Sequence, residues 1–377
     1  MFEVYINRVS KFLPNDPISN EDMEFYLGKI NDCASRARRI VLRNNGIQTR
    51  YYALSKQGRA THTNAQLTAL AVKGLFDRDF TADQAQLLSC GTSSPDYVMP
   101  SHAVMVHGEL GGSILEVNSA AGNCCAGMNA LKYGFLSVRA GITDNAICSG
   151  SERMSSWMIA DHFNKEVENL KQLELQPIVA FNKDFLRWML SDGAAAALLE
   201  NKKRGPLSLR VEWMEGYSFA HELPVCMYAG AEKNEDGSLR SFSDMPSQDW
   251  LDKSIFAVKQ DTKLLEQHIL AKGVQSMKAA MDKHGIGSDD IDFLLPHVSS
   301  HFFVDGLYDG FARAGIEISS NKWFMNLREV GNVGAGSVYL MLEELLASGR
   351  LLTGQHVMLC VPESARFSYA YAYLTVC

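Results

Sequence analysis

Apolar residues occur along this chain in two arrangements, as short continuous runs and as positions spaced by about one helical turn. Residues 114–117 form one short run, which predicts a β-strand. Residues 128–139 carry apolar side chains three and four positions apart, which predicts an amphipathic helix. The stretch Asn-Cys-Cys-Ala-Gly-Met at residues 123–128 therefore lies where an extended segment gives way to a helix.

A cysteine at the start of a helix meets unpaired backbone N–H groups and the positive end of the helix dipole. Both effects favour the thiolate, so we expect a lowered thiol pKa and a nucleophilic cysteine here. The alternative is a small buried cysteine that lets two backbones pack closely.

The same order of elements recurs in the second half of the chain. Residues 87–94 and residues 293–300 are both apolar runs that end in a Ser-Ser pair. A small-residue stretch, a helix and a strand follow in each half, over residues 123–149 and again over residues 331–361. Because the paired segments are separated by nearly the same number of residues, the pattern predicts two fused α/β repeats.

A polar, turn-forming stretch at residues 202–206 follows the apolar run 194–199 and marks the boundary between the repeats. We therefore divide the chain into an N-terminal half, residues 1–204, and a C-terminal half, residues 205–377. Strands that alternate with amphipathic helices predict buried sheets with helices packed on their faces.

The composition is that of a globular protein with an ample core. The 377 residues are 46% hydrophobic and 21% charged, with a net charge of −7. The acidic balance argues against nucleic-acid binding. The basic run Arg-Ala-Arg-Arg at residues 36–39, followed by Arg43, is an exception, which predicts either a solvated helix face or an anion-binding rim.

The sequence also argues against export and membrane insertion. The N-terminus lacks the pattern of a secretory signal, and no apolar run approaches the ~20 residues that a membrane helix needs. The eight cysteines are scattered, without the paired spacing of zinc sites or disulfide scaffolds. We therefore expect a reduced, cytoplasmic protein.

Three residues with complementary chemistry stand at comparable places, where strands end and helices begin: Cys125, His297 and Asn332. Cysteine can form a thioester, and histidine can move a proton or donate a hydrogen bond near neutral pH. Asparagine donates through an amide that does not titrate, so it can hold an enolate or a thioester carbonyl. Together they suit acyl transfer with carbon–carbon bond formation.

The stretches Cys-Ala-Gly-Met, Leu-Pro-His-Val and Gly-Asn-Val-Gly-Ala-Gly-Ser around these residues resemble the catalytic motifs of β-ketoacyl synthase III enzymes, a branch of the thiolase-fold condensing enzymes. Residues 46–50, 192–197 and 349–355 resemble further segments of that family. The resemblance implies an α/β thiolase fold of five layers, αβαβα, with two pseudo-symmetric halves. It also implies a homodimer, a Cys-His-Asn site, no resident cofactor, and acyl groups carried on the phosphopantetheine of coenzyme A or an acyl carrier protein.

The resemblance implies further site residues. Arg43 falls near an arginine that contacts the pantetheine or nucleotide end, and Met99 falls where relatives send a side chain into the partner's acyl tunnel. The family's Gly-Gly-Gly-Phe loop, whose backbone N–H helps form the oxyanion hole, is replaced by Pro-Glu-Ser-Ala-Arg-Phe at residues 362–367. We expect Ala365 to keep that backbone donor. Cys124 stands where an alanine is common, and the Ala-Gly that follows Cys125 favours Cys125 as the acylated residue.

Glu152 follows a strand that should end near the site. A partly buried glutamate with a raised pKa can shuttle protons. The alternative is a structural ion pair with a nearby arginine such as Arg153. A metal site at His297 and His301 is disfavoured, because a valine follows the first histidine where such motifs have a glutamate.

The chain looks like the ketosynthase/cyclases of bacterial dialkylresorcinol and stilbene pathways in residues 48–52 and 61–65 and in its departures from the synthase III motifs at Cys124 and residues 362–367. That resemblance implies that a β-ketoacyl thioester and an α,β-unsaturated acyl thioester are joined and cyclised to a cyclohexanedione carboxylate. The alternatives are a chain-initiating ketosynthase, an acyltransferase that acts on oxygen or nitrogen, and a non-catalytic subunit. Asn332 argues against the acyltransferase, and the three retained residues argue against the non-catalytic subunit.

Overall fold

The computed structural model describes residues 1–32, 35, 38–172 and 186–377. Residues 36 and 37 of the basic run, and Cys33, lie outside the described residues. The helices of the described part are α1 (Met23–Leu27), α2 (Arg38–Asn45), α3 (Asn64–Lys73), α4 (His102–Leu110), α5 (Cys125–Ala140), α6 (Asp161–Gln172), α7 (Ser247–Asp252), α8 (Thr262–His284), α9 (Val304–Arg313), α10 (Leu327–Val330) and α11 (Ser337–Ala347).

The strands of the described part are β1 (Tyr5–Phe12), β2 (Ile18–Ser19), β3 (Thr49–Arg50), β4 (Leu87–Thr92), β5 (Glu116–Ala121), β6 (Asn145–Glu152), β7 (Gly193–Glu200), β8 (Leu209–Ser218), β9 (Met227–Tyr228), β10 (Ala231–Lys233), β11 (Leu239–Ser241), β12 (Lys259–Gln260), β13 (Phe293–Pro296), β14 (His356–Glu363) and β15 (Ser368–Val376).

Nine strands are linked in the order β13-β14-β15-β8-β1-β7-β6-β4-β5. In the N-terminal part β4 runs parallel to β6, and β6, β7 and β1 follow as antiparallel neighbours. In the C-terminal part β13 runs parallel to β14, and β14, β15 and β8 follow as antiparallel neighbours. The pairing pattern therefore repeats, and only a short contact between β1 and β8 joins the two sets of strands.

Helices α5 and α11 form the central layer between these two sets of strands. Helix α5 contacts β4 and β6 on one side and β14 and β15 on the other, and α11 contacts β1 and β7 as well as β13 and β14. Helices α3 and α4 cover the first set from outside, and α8 packs against β14 and β15. The layers follow the order αβαβα, as the resemblance to the thiolase-fold condensing enzymes implies.

The central strands are buried on both faces. Every residue of β4, β6 and β7 is buried, which explains why their sequences read as continuous apolar or small runs rather than as alternating patterns. Helix α5 begins at Cys125, three residues before the predicted start, and ends at Ala140. The next residue is Gly141, whose positive φ of 72° suits a glycine after a helix.

One strand begins later than its apolar run indicates. The sequence predicts a strand over residues 114–117, whereas β5 spans Glu116–Ala121 and Ile114 is exposed. The pairing of β4 with β5 sets this position, because Leu87 at the start of β4 aligns with Glu116. Among the described residues, no helix is long and apolar enough to cross a membrane.

Candidate active site

Two cavities meet where β4, β6 and β13 end and α5 begins. The larger cavity has a volume of about 230 Å³, and its wall includes Glu152 and Asn332. The smaller cavity has a volume of about 60 Å³, and its wall includes His297. Cys124 and Ser364 line both cavities. The fold thus brings Glu152, His297 and Asn332 into the walls of two cavities that share Cys124, although these residues lie far apart in the sequence.

The two adjacent cysteines occupy different environments. Cys124 is partly exposed and lines both cavities. Cys125 is only 3% exposed, and its Sγ donates to the carbonyl of Val361 in β14, at 3.3 Å. The structure therefore directs the Cys125 thiol towards β14 and the Cys124 side chain towards the cavities. Acylation of Cys125 stays a prediction, and Cys124 becomes a second candidate that the sequence motif alone did not select.

Both thiols have raised pKa values in this structure, whereas the sequence predicts a lowered one. Burial is the main cause for each cysteine, and the carboxylate of Glu363 adds to it. Glu363 also accepts the backbone N–H of Cys125, at 3.0 Å. The expectation of a lowered pKa is wrong here, because burial disfavours the thiolate and a carboxylate already occupies the positive end of α5.

His297 follows β13 and is 3% exposed. Its backbone N–H donates to the carbonyl of Cys360 at 2.8 Å, which fixes the end of β13 against β14. Its Nε2 has no hydrogen-bond partner among the described residues, and burial lowers the pKa of the ring to about 4. His297 is therefore neutral at physiological pH and can either accept a proton or donate a hydrogen bond to a substrate.

Hydrogen bonds of both the backbone and the side chain fix the position of Asn332. Its backbone N–H donates to Met189, its backbone carbonyl accepts from Ser191, and its Oδ1 accepts from the N–H of Gly334 at 2.9 Å. These contacts orient the side chain, and its Nδ2 makes no hydrogen bond to any described residue. Because Asn332 lines the larger cavity, this amide is suited to donate to a carbonyl or enolate oxygen there.

Glu152 is 1% exposed at the end of β6 and is held by neutral donors. It accepts from Ser94 Oγ at 2.6 Å, from the Ser93 N–H at 3.1 Å and from the Ala335 N–H at 3.2 Å. Gly334 leaves room for it, since a Cβ at that position would lie 2.9 Å from Glu152 Oε1. Burial raises the pKa of Glu152 to about 7 against these hydrogen bonds.

The alternative of an ion pair between Glu152 and Arg153 is not what the structure shows. Arg153 Nη1 pairs with Asp96 at 3.4 Å, whereas Glu152 lines the larger cavity. A buried carboxyl without a cationic partner, with a pKa near neutrality, can exchange protons at physiological pH. The sequence indicated this possibility, but the serines that hold the carboxyl come from the loop after β4.

The other three predicted substrate-binding residues lie on loops and surfaces. Arg43 is exposed on α2, and Met99 is 83% exposed beside a cis peptide bond to Pro100. In the loop between β14 and β15, Ser364 lines the cavities, and the carbonyl of Ala365 accepts from the N–H groups of Cys226 and Met227. The roles assigned to Arg43, Met99 and Ala365 stay predictions.

Glu363 is the site residue whose role the sequence analysis missed. Its Oε2 accepts from the N–H of Asn123 at 2.9 Å as well as from Cys125. The signal in the sequence was a carboxylate in a loop where the resembled family has glycine. Among the described residues, no three His, Cys, Asp or Glu side chains are grouped to hold a metal ion.

Comparison of the sequence with known proteins gives a consistent result. The family model described as 3-oxoacyl-[acyl-carrier-protein (ACP)] synthase III C terminal matches residues 281–365, a segment that contains His297 and Asn332. The β-ketoacyl-[acyl-carrier-protein] synthase III of Chlorobium luteolum is 23% identical over 364 residues, which cover 94% of each chain. The enzyme of the same name from Chlorobium phaeobacteroides is 24% identical over 360 residues and also covers 94% of each chain.

Solved structures of similar fold cover nearly the whole chain. AbyA1, a tetronic acid condensing enzyme, matches with a TM-score of 0.76 and 21% identity over 99% of each chain. Xanthomonas campestris OleA with bound lauric acid and lauroyl-CoA matches with a TM-score of 0.73 and 19% identity over 100% of each chain.

The protein therefore has the thiolase fold of condensing enzymes. Within that class its sequence is similar to β-ketoacyl-[acyl-carrier-protein] synthase III enzymes over 94% of the chain, and residues 281–365 match the family model for their C-terminal part.

Proposed function

We propose that this protein is a condensing enzyme that joins two acyl thioesters through a cysteine-bound acyl intermediate and cyclises the product. One substrate is an α,β-unsaturated acyl thioester and the other is a β-ketoacyl thioester. The product is a cyclohexanedione carboxylate, the precursor of a resorcinol ring. The observation that carries the proposal is the meeting of two cavities at one thiol, with a carboxyl of pKa about 7 in the wall of the larger one.

The first step is transfer of the unsaturated acyl group to the enzyme. The cysteine thiol gives up its proton and its sulfur attacks the thioester carbonyl, and the carrier sulfur leaves and takes up that proton. His297 and Asn332 then face the acyl group from the two cavities. A neutral histidine and an oriented amide are suitable donors for the oxygens that become negative during this chemistry.

The second and third steps form two carbon–carbon bonds. The carbon between the two carbonyls of the β-ketoacyl thioester loses a proton and adds to the β-carbon of the enzyme-bound acyl group, whose α-carbon takes up a proton. The carbon on the far side of the ketone then loses a proton and attacks the enzyme thioester, which expels the cysteine thiolate and closes a six-membered ring. Hydrolysis of the remaining thioester gives the carboxylate.

This sequence moves more protons than a single condensation, and Glu152 is suited to move them. Its carboxyl lines the larger cavity, and with a pKa of about 7 it exists in both protonation states near neutral pH. Such a group can accept a proton in one step and return it in the next. We assign Glu152 this role in cyclisation.

The proposed partners follow from the thioester substrates. The acyl groups arrive on coenzyme A or an acyl carrier protein, Arg43 contacts the phosphorylated end of the carrier, and the backbone of Ala365 contributes to the oxyanion hole. The chemistry itself needs no resident cofactor. We further propose a homodimer in which Met99 enters the partner's acyl tunnel, acting in the cytoplasm.

A chain-initiating β-ketoacyl synthase III reaction is the second candidate. It forms one carbon–carbon bond and needs no cyclisation. The smaller cavity, of about 60 Å³, favours it, because such a volume suits a short primer rather than a long acyl chain.

The test uses the purified protein with a medium-chain 2-enoyl thioester and a β-ketoacyl thioester, supplied together and separately. Mass spectrometry follows both the protein mass and the released product. We expect an acyl adduct with the enoyl thioester alone and a cyclic product with the pair. Peptide mapping of the adduct assigns it to Cys124 or Cys125, and the variants Cys124→Ala and Cys125→Ala check the assignment.

The variant that removes the acylated thiol must lose both the adduct and the product, while the other variant keeps the adduct. An adduct with only linear product would support the chain-initiating reaction and exclude the cyclase. No adduct in the unmodified protein with any thioester would exclude both candidates.

A further inference from the structure

Glu363 ends β14 and reaches across the site to the start of α5. Its Oε2 accepts two backbone N–H groups, from Asn123 at 2.9 Å and from Cys125 at 3.0 Å. These two residues flank Cys124, so the carboxylate holds the backbone on both sides of the cavity-lining thiol. The side chain is only 8% exposed, and no ion pair joins it to a cation among the described residues.

The two N–H groups held by Glu363 are the groups that the start of this helix offers to an anion. Unpaired N–H groups at a helix start, next to a nucleophile, are suited to bind the oxygen of a thioester under attack. The Gly-Gly-Gly-Phe loop of the resembled family has no carboxylate at the position of Glu363. Here a carboxylate oxygen already accepts both N–H groups, so a thioester oxygen could bind them only in its place.

The carboxylate also changes the chemistry of the neighbouring thiols. Several groups that titrate surround these thiols: Glu363 and Cys360 from β14, Glu152 from β6 and His297 from β13. None of them is a cation at neutral pH, because burial keeps His297 neutral. A negative charge in this setting favours the protonated thiol, and the positive end of α5 is already compensated by Glu363.

We propose that Glu363 is a positioning residue that closes the oxyanion hole of the resting enzyme until a thioester carbonyl displaces it. While Glu363 holds the N–H groups of Asn123 and Cys125, the thiols stay protonated and unreactive. A bound thioester that takes over these N–H groups moves the carboxylate away, so the nucleophile becomes reactive only when a substrate is in place. This inference deepens the proposed function and rests on it.

The test measures thiol reactivity in the free enzyme, without any acyl substrate. The rate of alkylation by iodoacetamide is followed from pH 6 to pH 10 for the unmodified protein, Glu363→Gln and Glu363→Gly, and the modified cysteine is identified by peptide mapping. Removing one neighbouring carboxylate should lower the apparent thiol pKa by about one unit and raise the rate near pH 7.5 by about fivefold to tenfold.

Glu363→Gln keeps an oxygen that can accept the two N–H groups, so it tests the charge even where Glu363→Gly does not fold. Glu109→Gln, an exposed glutamate on α4, is the matched control and should leave the alkylation rate unchanged. An alkylation profile that is unchanged or slower in Glu363→Gln would overturn the proposal, because a slower rate is the signature of a general base.

A second measurement tests displacement by the substrate. If Glu363 competes with the thioester carbonyl, Glu363→Gly should lower the KM for enzyme acylation with little change in the maximal rate, whereas a structural defect would lower the maximal rate. An unchanged or higher KM would contradict displacement. The alkylation rate is measured without any condensation. It therefore still tests the effect of Glu363 on the thiols if the proposed reaction does not occur.

Discussion

At the scale of single residues, the protonation states of the site depend on which partners are buried with each group. Among the described residues Glu152 has only hydroxyl and backbone N–H partners, so burial dominates and its pKa rises to about 7. The described part of the chain gives His297 no charged partner to retain its proton, and burial lowers its pKa to about 4. At neutral pH the site therefore contains a neutral imidazole and a carboxyl that is partly protonated.

The first prediction concerns Glu152→Gln. Glutamine keeps oxygen and nitrogen near Ser94 and Ala335 but does not titrate, so formation of the cyclic product should fall by about 10²-fold. The inflection near pH 7 in the rate of product formation should disappear. Enzyme acylation, measured by the protein mass, should persist. Steady-state assays from pH 5.5 to pH 9 make this comparison.

Ser94→Ala is the matched variant for this prediction. The Ser94 hydroxyl donates to the Glu152 carboxylate at 2.6 Å and stabilises the ionised form. Its removal should therefore move the inflection to higher pH while the carboxyl stays in place. An inflection near pH 7 that remains in Glu152→Gln would assign the titration to another group.

At the scale of elements, the site depends on close contact between α5, β6 and the loop before α11. A Cβ at Gly127 would lie 2.2 Å from the carbonyl oxygen of Ala335, and a Cβ at Gly150 would lie 2.1 Å from the same oxygen. Real Cβ atoms do not approach backbone oxygens this closely. These two glycines therefore let the loop of Asn332 and Ala335 lie directly against the start of α5 and the end of β6.

The second prediction follows from this contact. Gly150→Ala should force the Ala335 backbone away and lower the free energy of unfolding by about 1–3 kcal/mol, the range of overpacked cores. Activity should fall as well, because Asn332 and Glu152 move apart. Thermal and denaturant unfolding measure the first effect, and product formation measures the second.

Gly108→Ala on α4 is the control for Gly150→Ala. A Cβ at Gly108 meets nothing within 4 Å, so the change should leave stability unchanged or raise it by about 0.5–1 kcal/mol. Equal free energies of unfolding for Gly150→Ala and Gly108→Ala would contradict the prediction, because they would show that the Ala335 backbone shifts without loss of stability.

At the scale of the whole molecule, β5 lies at one end of the nine-stranded sheet. Its residues are mostly exposed or partly exposed, unlike those of β4, β6 and β7. Helix α5 packs beside it and exposes two large side chains, Tyr133 and Leu136. An unpaired strand edge beside exposed apolar side chains is a surface that soluble proteins rarely leave uncovered.

The third prediction is that a second copy of this chain covers this surface. Analytical ultracentrifugation should find a dimer, and Leu136→Glu should convert it to a monomer with reduced activity. Leu352→Glu, at an exposed leucine in the turn before β14, is the control and should stay dimeric. A monomeric unmodified protein with full activity would contradict this prediction.

The sequence alone determined the fold to a large extent. Helix and strand periodicities are local properties, so they predicted α5, α11 and the buried strands. The repeated motifs predicted two fused α/β repeats, and the resemblance to synthase III enzymes implied the order of layers. The main local error was the position of β5, which the pairing with β4 decided.

The arrangement of the site was decided only by the tertiary structure. Cys125 and Glu363 are far apart in the sequence, as are Glu152 and Ala335, and their contacts arise only when the two halves meet. Burial and charge therefore raised the thiol pKa values that the helix start alone predicted to be low. The residue types fixed which chemistry is available, and packing fixed which thiol lines the cavities and which carboxyl occupies the start of α5.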